Sequence, residues 1–238
     1  WKAGVPKRSG PASQWFSFFF YNHRLRQKRS QALKHESEYN VDLVEFALQK
    51  PPALRESLTP AVLKPTKQGL EKAHALAQKY NFKYDQTIVI HAGMGGSARN
   101  WPPEYYRKLA EYLLARDMNV IVSGSSMDES FVNLTGILKV PGVINLVNQT
   151  TGDFLMAVLS LSRGVVVPST GVAHLAASLG TKVAGIYSPV RVQAPLRWAP
   201  IGPHVKVFAP DVKCPGHFKC LESRCPHYDC MPTIPVEN

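Results

Sequence analysis

The sequence lacks several features of secreted and membrane-embedded proteins. No cysteine precedes Cys214, which argues against a fold held together by disulfides. The first 35 residues contain neither a signal peptide nor an apolar run long enough to cross a bilayer. The sequence therefore predicts a globular protein of a reducing compartment.

Acidic residues are also absent from the start of the chain, because none precedes Glu36. The whole sequence carries 28 Lys and Arg against 17 Asp and Glu, a net charge of +11. The basic residues before Glu36 are Lys2, Lys7, Arg8, Arg24, Arg26, Lys28, Arg29 and Lys34. Such a stretch suits a phosphate-rich partner: an anionic membrane surface, a phosphorylated glycolipid or a nucleic acid. A solvated loop is the alternative interpretation.

With 238 residues, the chain is longer than a typical domain of roughly 100 to 150 residues. It begins with Trp1 instead of Met. We expect a fragment that holds one full domain and part of another.

Hydrophobic periodicity predicts a helix over residues 36–49, followed by a proline-rich linker over 51–65. Strands and helices then alternate. Strands are predicted at 86–91, 119–123, 143–146, 164–167 and 182–187, and helices at 102–116, 128–138, 153–161 and 171–179. This alternation is typical of an α/β fold with a doubly wound parallel sheet of four or five strands.

The first predicted strand ends in a glycine-rich turn at residues 91–102. Gly95 and Gly96 allow the backbone to approach a phosphate, Ser97 offers a hydroxyl, and Arg99 offers a bidentate cation. Many turns of this composition only reverse the chain, so both interpretations stay open at this point.

A second turn follows the strand at 164–167 and contains Ser169, Thr170 and Gly171. Either hydroxyl can cap the next helix, whose first amides form a site for a diphosphate. His174 lies in the first turn of that helix, either as a ligand contact or as a packed structural residue. Two such turns in one sheet predict a ligand with several phosphates, and a nucleoside diphosphate fits best.

All four cysteines lie near the end of the chain, at Cys214, Cys220, Cys225 and Cys230. They form a candidate structural zinc site, with His217 and His227 as alternates. The spacing lacks the Cys-x2-Cys pair of most such sites, so four reduced thiols are the second interpretation. Two disulfides are disfavoured in a reducing cytosol.

The motifs at residues 91–102, 169–177 and 185–189, together with the spacing of the cysteines, resemble glycosyltransferase family 9, the ADP-heptose:lipopolysaccharide heptosyltransferases. The resemblance covers roughly residues 34–234. It implies the two-domain GT-B architecture, with residues 1–60 as a remnant of the acceptor-binding domain and linker. Residues 61–210 are then the Rossmann-like nucleotide-sugar-binding domain, and 211–238 a Cys-rich C-terminal segment.

The resemblance also implies a reaction. An ADP-sugar donates heptose to the lipopolysaccharide core with inversion, and catalysis requires no metal or other cofactor. Arg99 corresponds to a basic residue that meets the donor phosphates, while Thr170, Gly171 and His174 occupy the diphosphate turn. Ser126 or Asp128 faces the ribose.

Many family members carry an acid at the position of Ser169, so this chain is expected to make a neutral hydrogen bond there. The catalytic base belongs to the N-terminal domain, and no residue of this chain is assigned to it. We therefore expect the chain to bind the nucleotide without transferring sugar. The expected location is cytoplasmic, with peripheral contact at the anionic inner membrane surface.

Two other functional classes are compatible with parts of the sequence. A sugar-nucleotide epimerase or hydrolase of the same architecture needs acid and base groups near the diphosphate, where only His91 and His174 are available. A nucleic-acid-binding module would explain the net charge and the Cys/His-rich end, but not two phosphate turns in the sheet. We expect no nucleic acid partner.

Overall fold

The computed structural model describes residues 4–13, 15–49, 62–96 and 98–237. Most of the predicted proline-rich linker lies outside the described residues, as does Ser97. The predictions made for these residues therefore stay predictions.

A six-stranded sheet forms the centre of the fold, and all of its neighbouring strands are parallel. The strands are β3 (Thr87–His91), β4 (Asn119–Gly124), β5 (Val143–Val147), β6 (Gly164–Pro168), β7 (Val183–Ile186) and β8 (Val205–Phe208). Their order is β5-β4-β3-β6-β7-β8. Runs such as Val120, Ile121 and Val122 are fully buried, as expected for a parallel sheet that is covered on both faces. The predicted α/β doubly wound fold is confirmed.

Helices cover both faces of this sheet. They are α3 (Lys67–Tyr80), α4 (Pro103–Leu114), α5 (Glu129–Thr135), α6 (Gly152–Leu161), α7 (Gly171–Ser178) and the short α8 (Pro195–Trp198). One core cluster joins α3, α6 and α7 to the sheet, and a second cluster joins α4 and α5 to the opposite face. The sheet lies within the predicted domain of residues 61–210, whose boundaries stay predictions.

Helix α3, strand β8 and the short helix α8 of this domain were not predicted from the sequence. Thr66 caps the start of α3, because its side chain accepts a hydrogen bond from the Gly69 amide, and Asn81 follows the last helical residue in the left-handed conformation. Gly69 and Ala73 of α3 are buried, and Leu70, Leu76 and Ala77 pack against the core beside them. Strand β8 is a short edge strand that pairs with β7 alone. Its four residues give a weak periodic signal.

The N-terminal segment contains a small parallel pair, β1 (Ser9–Pro11) and β2 (His23–Leu25), with the short helix α1 (Ser17–Phe20) between them. Helix α2 (Glu36–Leu48) follows and confirms the predicted helix. His35 caps it, while Glu38 bonds back to the His35 amide as in a capping box. None of the described helices is long and apolar enough to cross a membrane.

Glu36 connects this N-terminal segment to the sheet domain. One carboxylate oxygen pairs with Arg29, and the other accepts a hydrogen bond from Nε of Arg197 at 2.8 Å. The side chains of Glu36 and Arg197 are each 15% exposed. One residue earlier, Nε2 of His35 lies 2.8 Å from the carbonyl oxygen of Ala199. Because these charges are largely shielded from water, removing one partner leaves the other uncompensated and costs more than breaking a surface ion pair.

We predict that Glu36→Gln lowers the free energy of unfolding by about 2 kcal/mol, because both arginines lose a charged partner. Glu71→Gln is the matched control. Glu71 pairs with Lys67 on the exposed face of α3, where the loss should be no more than about 0.5 kcal/mol. Urea unfolding of the two variants measures the difference, and equal losses would contradict the role assigned to Glu36.

Candidate functional site

A cavity of about 700 Å³ opens at the carboxyl ends of β3 and β6. These two strands are neighbours in the sheet, but the chain leaves β3 towards β4 on one side and leaves β6 towards β7 on the other. Ligands of open α/β sheets bind at such a point, because the diverging connections leave a crevice between them. Both predicted phosphate turns line this cavity.

A second cavity of about 450 Å³ lies towards the ends of β4 and β5. It shares His91 and Asp128 with the larger cavity, so the two adjoin. Ser126, the other predicted nucleoside contact, lines only this second cavity. The arrangement suits an extended ligand whose parts occupy both cavities.

The turn between β6 and α7 brings Ser169, Thr170, Gly171 and His174 to the larger cavity. Thr170 precedes α7, but its side chain does not cap the helix. Its Oγ1 is buried and has no hydrogen-bond partner. A Cβ added to Gly171 would meet no atom within 4 Å, which shows that the backbone there faces open space. The start of α7 is therefore accessible to an anion.

Ser169 differs from its neighbours because its side chain has a protein partner. It forms a hydrogen bond with the hydroxyl group of Tyr187, which in turn donates to the carbonyl oxygen of Trp198 at 3.0 Å. Burial raises the pKa of Tyr187 to about 12, and the Ser169 bond acts in the opposite direction. The phenol therefore stays protonated at neutral pH and holds the turn against the segment after β7.

Two histidines at the larger cavity are held in the neutral form. Burial lowers the pKa of His174, and the nearby His35 acts in the same direction. Burial also lowers the pKa of His91, while the Asp128 carboxylate opposes the shift. His91 is further positioned by the hydroxyl group of Ser123, 3.1 Å from Nδ1.

Asp128 is fixed where the two cavities meet. Its Oδ2 accepts hydrogen bonds from the amide of Ser125 at 2.9 Å and from the Ser125 hydroxyl at 2.7 Å. The carboxylate also lies directly against Gly93, where an added Cβ would stand 2.0 Å from Oδ1. Only glycine allows the turn after β3 to come so close to this acid.

The other described residues of the turn after β3 differ in where they lie relative to the larger cavity. Gly95 and Gly96 both have positive φ, 57° and 74°, which explains the two glycines. Gly95 lines the larger cavity, and Gly96 lies next to it in the turn. Arg99 is turned towards the C-terminal segment, where it donates to the carbonyl oxygen of Tyr228 at 2.9 Å and lies 3.4 Å from Sγ of Cys220. Its contact with donor phosphates stays a prediction, which this geometry does not favour.

The cysteines are also arranged differently from the predicted zinc site. Cys214, Cys220, Cys225 and Cys230 are free thiols, and the described part of the chain contains no group of three His, Cys, Asp or Glu that could hold a metal ion. Cys230 is buried in the core cluster beside α4, and burial raises its pKa, which favours the neutral thiol. Two other sulfurs accept amide hydrogen bonds, from Glu222 and from His227. A structural zinc site at these four cysteines stays a prediction.

Sequence reasoning missed one wall of the larger cavity. The segment after β7 contributes Val192, Gln193, Arg197 and Trp198, and the C-terminal segment contributes Phe218. Oε1 of Gln193 is buried without a hydrogen-bond partner. The position of this segment directly after a predicted strand was the available signal, but no motif marks it.

Comparisons with known proteins agree with this geometry. The model of glycosyltransferase family 9 (heptosyltransferase) matches residues 4–227. A putative glycosyltransferase of Haemophilus influenzae is 34% identical over 211 residues, which are 84% of this chain and 59% of that protein. The chain thus spans less than two thirds of this relative.

Two solved structures have a similar fold. The ADP-heptose lipopolysaccharide heptosyltransferase II of Escherichia coli matches with a TM-score of 0.73 at 18% identity, over 99% of this chain and 68% of that one. The E. coli heptosyltransferase WaaC with ADP matches with a TM-score of 0.58 at 17% identity, over 92% and 58%.

We predict that Gly93→Ala lowers the free energy of unfolding by about 2 kcal/mol, because the new methyl group must displace the Asp128 carboxylate or the turn itself. Gly152→Ala is the control for stability, since a Cβ there would meet no atom within 4 Å. Urea unfolding measures both variants. A Gly93→Ala protein as stable as the control would contradict the tight packing of this turn.

We also predict that stability decreases in acid. The folded pKa of His91 and of His174 is below the ordinary value of 6.5, so the unfolded chain binds more protons as the pH falls below 6.5. Each histidine then contributes a slope of up to about 1.4 kcal/mol per pH unit, and this contribution fades to zero within about one pH unit above 6.5.

Urea unfolding between pH 7.5 and 5.5 measures this slope. His174→Gln should reduce it, whereas His74→Gln, on the exposed face of α3, should leave it unchanged. An unchanged slope in His174→Gln would show that His174 is not held neutral by the fold.

Proposed function

Because the chain belongs to glycosyltransferase family 9, the heptosyltransferase family, we propose that it provides the donor-binding half of a transferase that uses an ADP-sugar. The main support for this proposal is that the turns after β3 and after β6 line one cavity at the carboxyl edge of the sheet. The E. coli relative WaaC, solved with ADP, supports the choice of nucleotide.

The diphosphate is assigned to the turn between β6 and α7. The amino end of α7 carries a partial positive charge, and the Thr170 hydroxyl has no partner inside the protein. The glycine turn after β3 faces the same space through Gly95. His174, neutral in the free protein, is placed to donate a hydrogen bond to a phosphate oxygen.

The nucleoside is assigned to the second cavity, next to Ser126 and Asp128. A fixed carboxylate is a strong acceptor for the hydroxyl groups of a ribose. One Asp128 oxygen lies against the glycine turn, and the other accepts hydrogen bonds from Ser125. The carboxylate is therefore oriented before the ligand binds. The sugar then extends into the larger cavity.

We further propose that the acceptor is a phosphorylated lipopolysaccharide core, and that heptose is transferred with inversion and without a metal ion. The N-terminal segment supports an anionic acceptor, because Arg24, Arg26 and Lys28 lie close to one another in the sequence. The same segment exposes Trp15, Phe18 and Phe19. Aromatic and basic side chains together suit the interface of an anionic membrane, so we place the protein at the cytoplasmic face of the inner membrane.

Transfer requires a base within hydrogen-bond reach of the acceptor hydroxyl. None of the described side chains is assigned this role. The chain spans 59% of its H. influenzae relative, so the activity of a whole transferase is a proposal here. We expect the purified chain to bind an ADP-sugar and to transfer no sugar by itself.

A ligand panel tests this proposal by thermal and urea unfolding. ADP at 100 times its dissociation constant should raise the free energy of unfolding by about 2.7 kcal/mol, and AMP should act more weakly because it lacks the second phosphate. UDP at the same concentration tests whether the protein distinguishes adenine from uracil. Stabilisation by RNA but not by ADP would favour a nucleic-acid-binding module, and breakdown or epimerisation of an ADP-sugar would favour the hydrolase or epimerase class.

We predict that Thr170→Val weakens ADP binding about 5- to 10-fold without lowering stability, because the hydroxyl has no partner in the free protein. Thr233→Val is the matched control. The Thr233 hydroxyl donates to the Cys230 carbonyl at 2.7 Å, so this variant should lose stability and keep its ADP affinity. Calorimetric titration and urea unfolding separate the two effects, and unchanged ADP binding in Thr170→Val would refute the assigned phosphate position.

A further inference from the structure

Two residues that line the larger cavity each have a buried polar side-chain atom without a hydrogen-bond partner. The two atoms are Oγ1 of Thr170 and Oε1 of Gln193, and no other buried side-chain nitrogen or oxygen among the described residues is left in this state. Burying an acceptor without a partner costs about 1 to 3 kcal/mol, so such atoms are rare in folded proteins and mark places where a ligand completes the bonding.

The proposed function uses the Thr170 hydroxyl but leaves Gln193 without a role. The order of the strands in the sheet indicates which part of the ligand Gln193 faces. The nucleoside cavity lies over β4 and β5, on one side of β3. Gln193 follows β7, on the other side of β6. A ligand whose diphosphate lies at the end of β6 and whose base lies over β4 and β5 therefore directs its third part, the sugar, towards Gln193.

The backbone around Gln193 is held in place by several hydrogen bonds. The Val190 amide donates to the Ser188 hydroxyl at 3.2 Å, and the Trp198 indole donates to the Val192 carbonyl at 2.8 Å. The Gln193 amide donates to the Val190 carbonyl at 2.8 Å. These contacts fix the segment on both sides of Gln193, so its side chain is presented on a rigid support, as a selective contact requires.

Arg197 completes this wall of the cavity. Arg197 lines the cavity, and the bond from its Nε to Glu36 holds its guanidinium in one orientation. Glu36 also balances its charge, so the wall as a whole does not attract anions strongly. A neutral acceptor beside a compensated cation suits the hydroxyl groups of a sugar better than another phosphate.

We propose that Gln193 is a specificity-determining residue for the sugar of the donor: when the donor binds, the Gln193 side chain turns into the cavity and its oxygen accepts a hydrogen bond from a hydroxyl group of the sugar. This inference rests on the proposed function, because it requires an ADP-sugar in the cavity. Gln193 would be a donor contact on the β7 side of the sheet, outside the two turns assigned to the phosphates.

Calorimetric titration with ADP and with ADP-heptose tests this proposal. The decisive quantity is the ratio of the two dissociation constants, because effects on phosphate binding cancel in it. In Gln193→Met, the affinity for ADP-heptose should fall about 5- to 20-fold while the affinity for ADP is unchanged. This variant should be at least as stable as the wild type, since Oε1 has no partner to lose and its burial no longer costs free energy.

Two further variants serve as controls. Gln193→Glu keeps an acceptor oxygen, and its added charge opposes both diphosphates alike, so the ratio should stay near the wild-type value. Gln68→Met makes the same change on the exposed face of α3 and should alter neither ligand.

Four outcomes would overturn the assignment. An equal loss for ADP and ADP-heptose in Gln193→Met would place Gln193 at the diphosphate, and no loss for either would remove it from the site. If Gln193→Met does not fold, a changed ratio in Gln193→Glu would count against the proposal in the same way. Failure of the wild type to bind ADP would instead overturn the proposed function, and this assignment with it.

Discussion

The parallel pairing of β3 with β6 is the constraint on which the site depends. Parallel strands end at the same edge of a sheet, so the turns that follow these two strands must lie next to each other. Because the chain then departs in opposite directions, no connection crosses the space between them. The cavity is thus a result of topology, and the glycines and hydroxyl groups of the turns only adapt its surface to a ligand.

The parts of the fold that the sequence predicted are those with a strong periodic signal. Strands such as β3 and β4 are unbroken runs of β-branched residues, and the small residues of α7 allow it to lie close to the sheet. Helix α3 was missed although Leu70, Ala73 and Ala77 recur at helical spacing, whereas β8 is a short edge strand. For β8, tertiary contacts stabilise an element whose local pattern is weak.

The candidate site, like the fold, could be predicted from the sequence only in part. The residues that line the cavity from the two turns follow strands that the sequence marks clearly, so their proximity could be inferred. The side-chain direction of Arg99 could not, because it depends on Tyr228 and Cys220, more than a hundred residues away. Gln193 also escaped notice, since its importance comes from lacking a partner, which no sequence pattern reports.

The contact between Gly93 and Asp128 also bears on how proteins of this kind diverge. The acid occupies the volume that a side chain at position 93 would need. A larger residue at that position becomes acceptable only when position 128 shortens or changes its rotamer. The two positions are therefore expected to vary together among homologues, and a lineage that gives up the acid at 128 is free to abandon the glycine at 93.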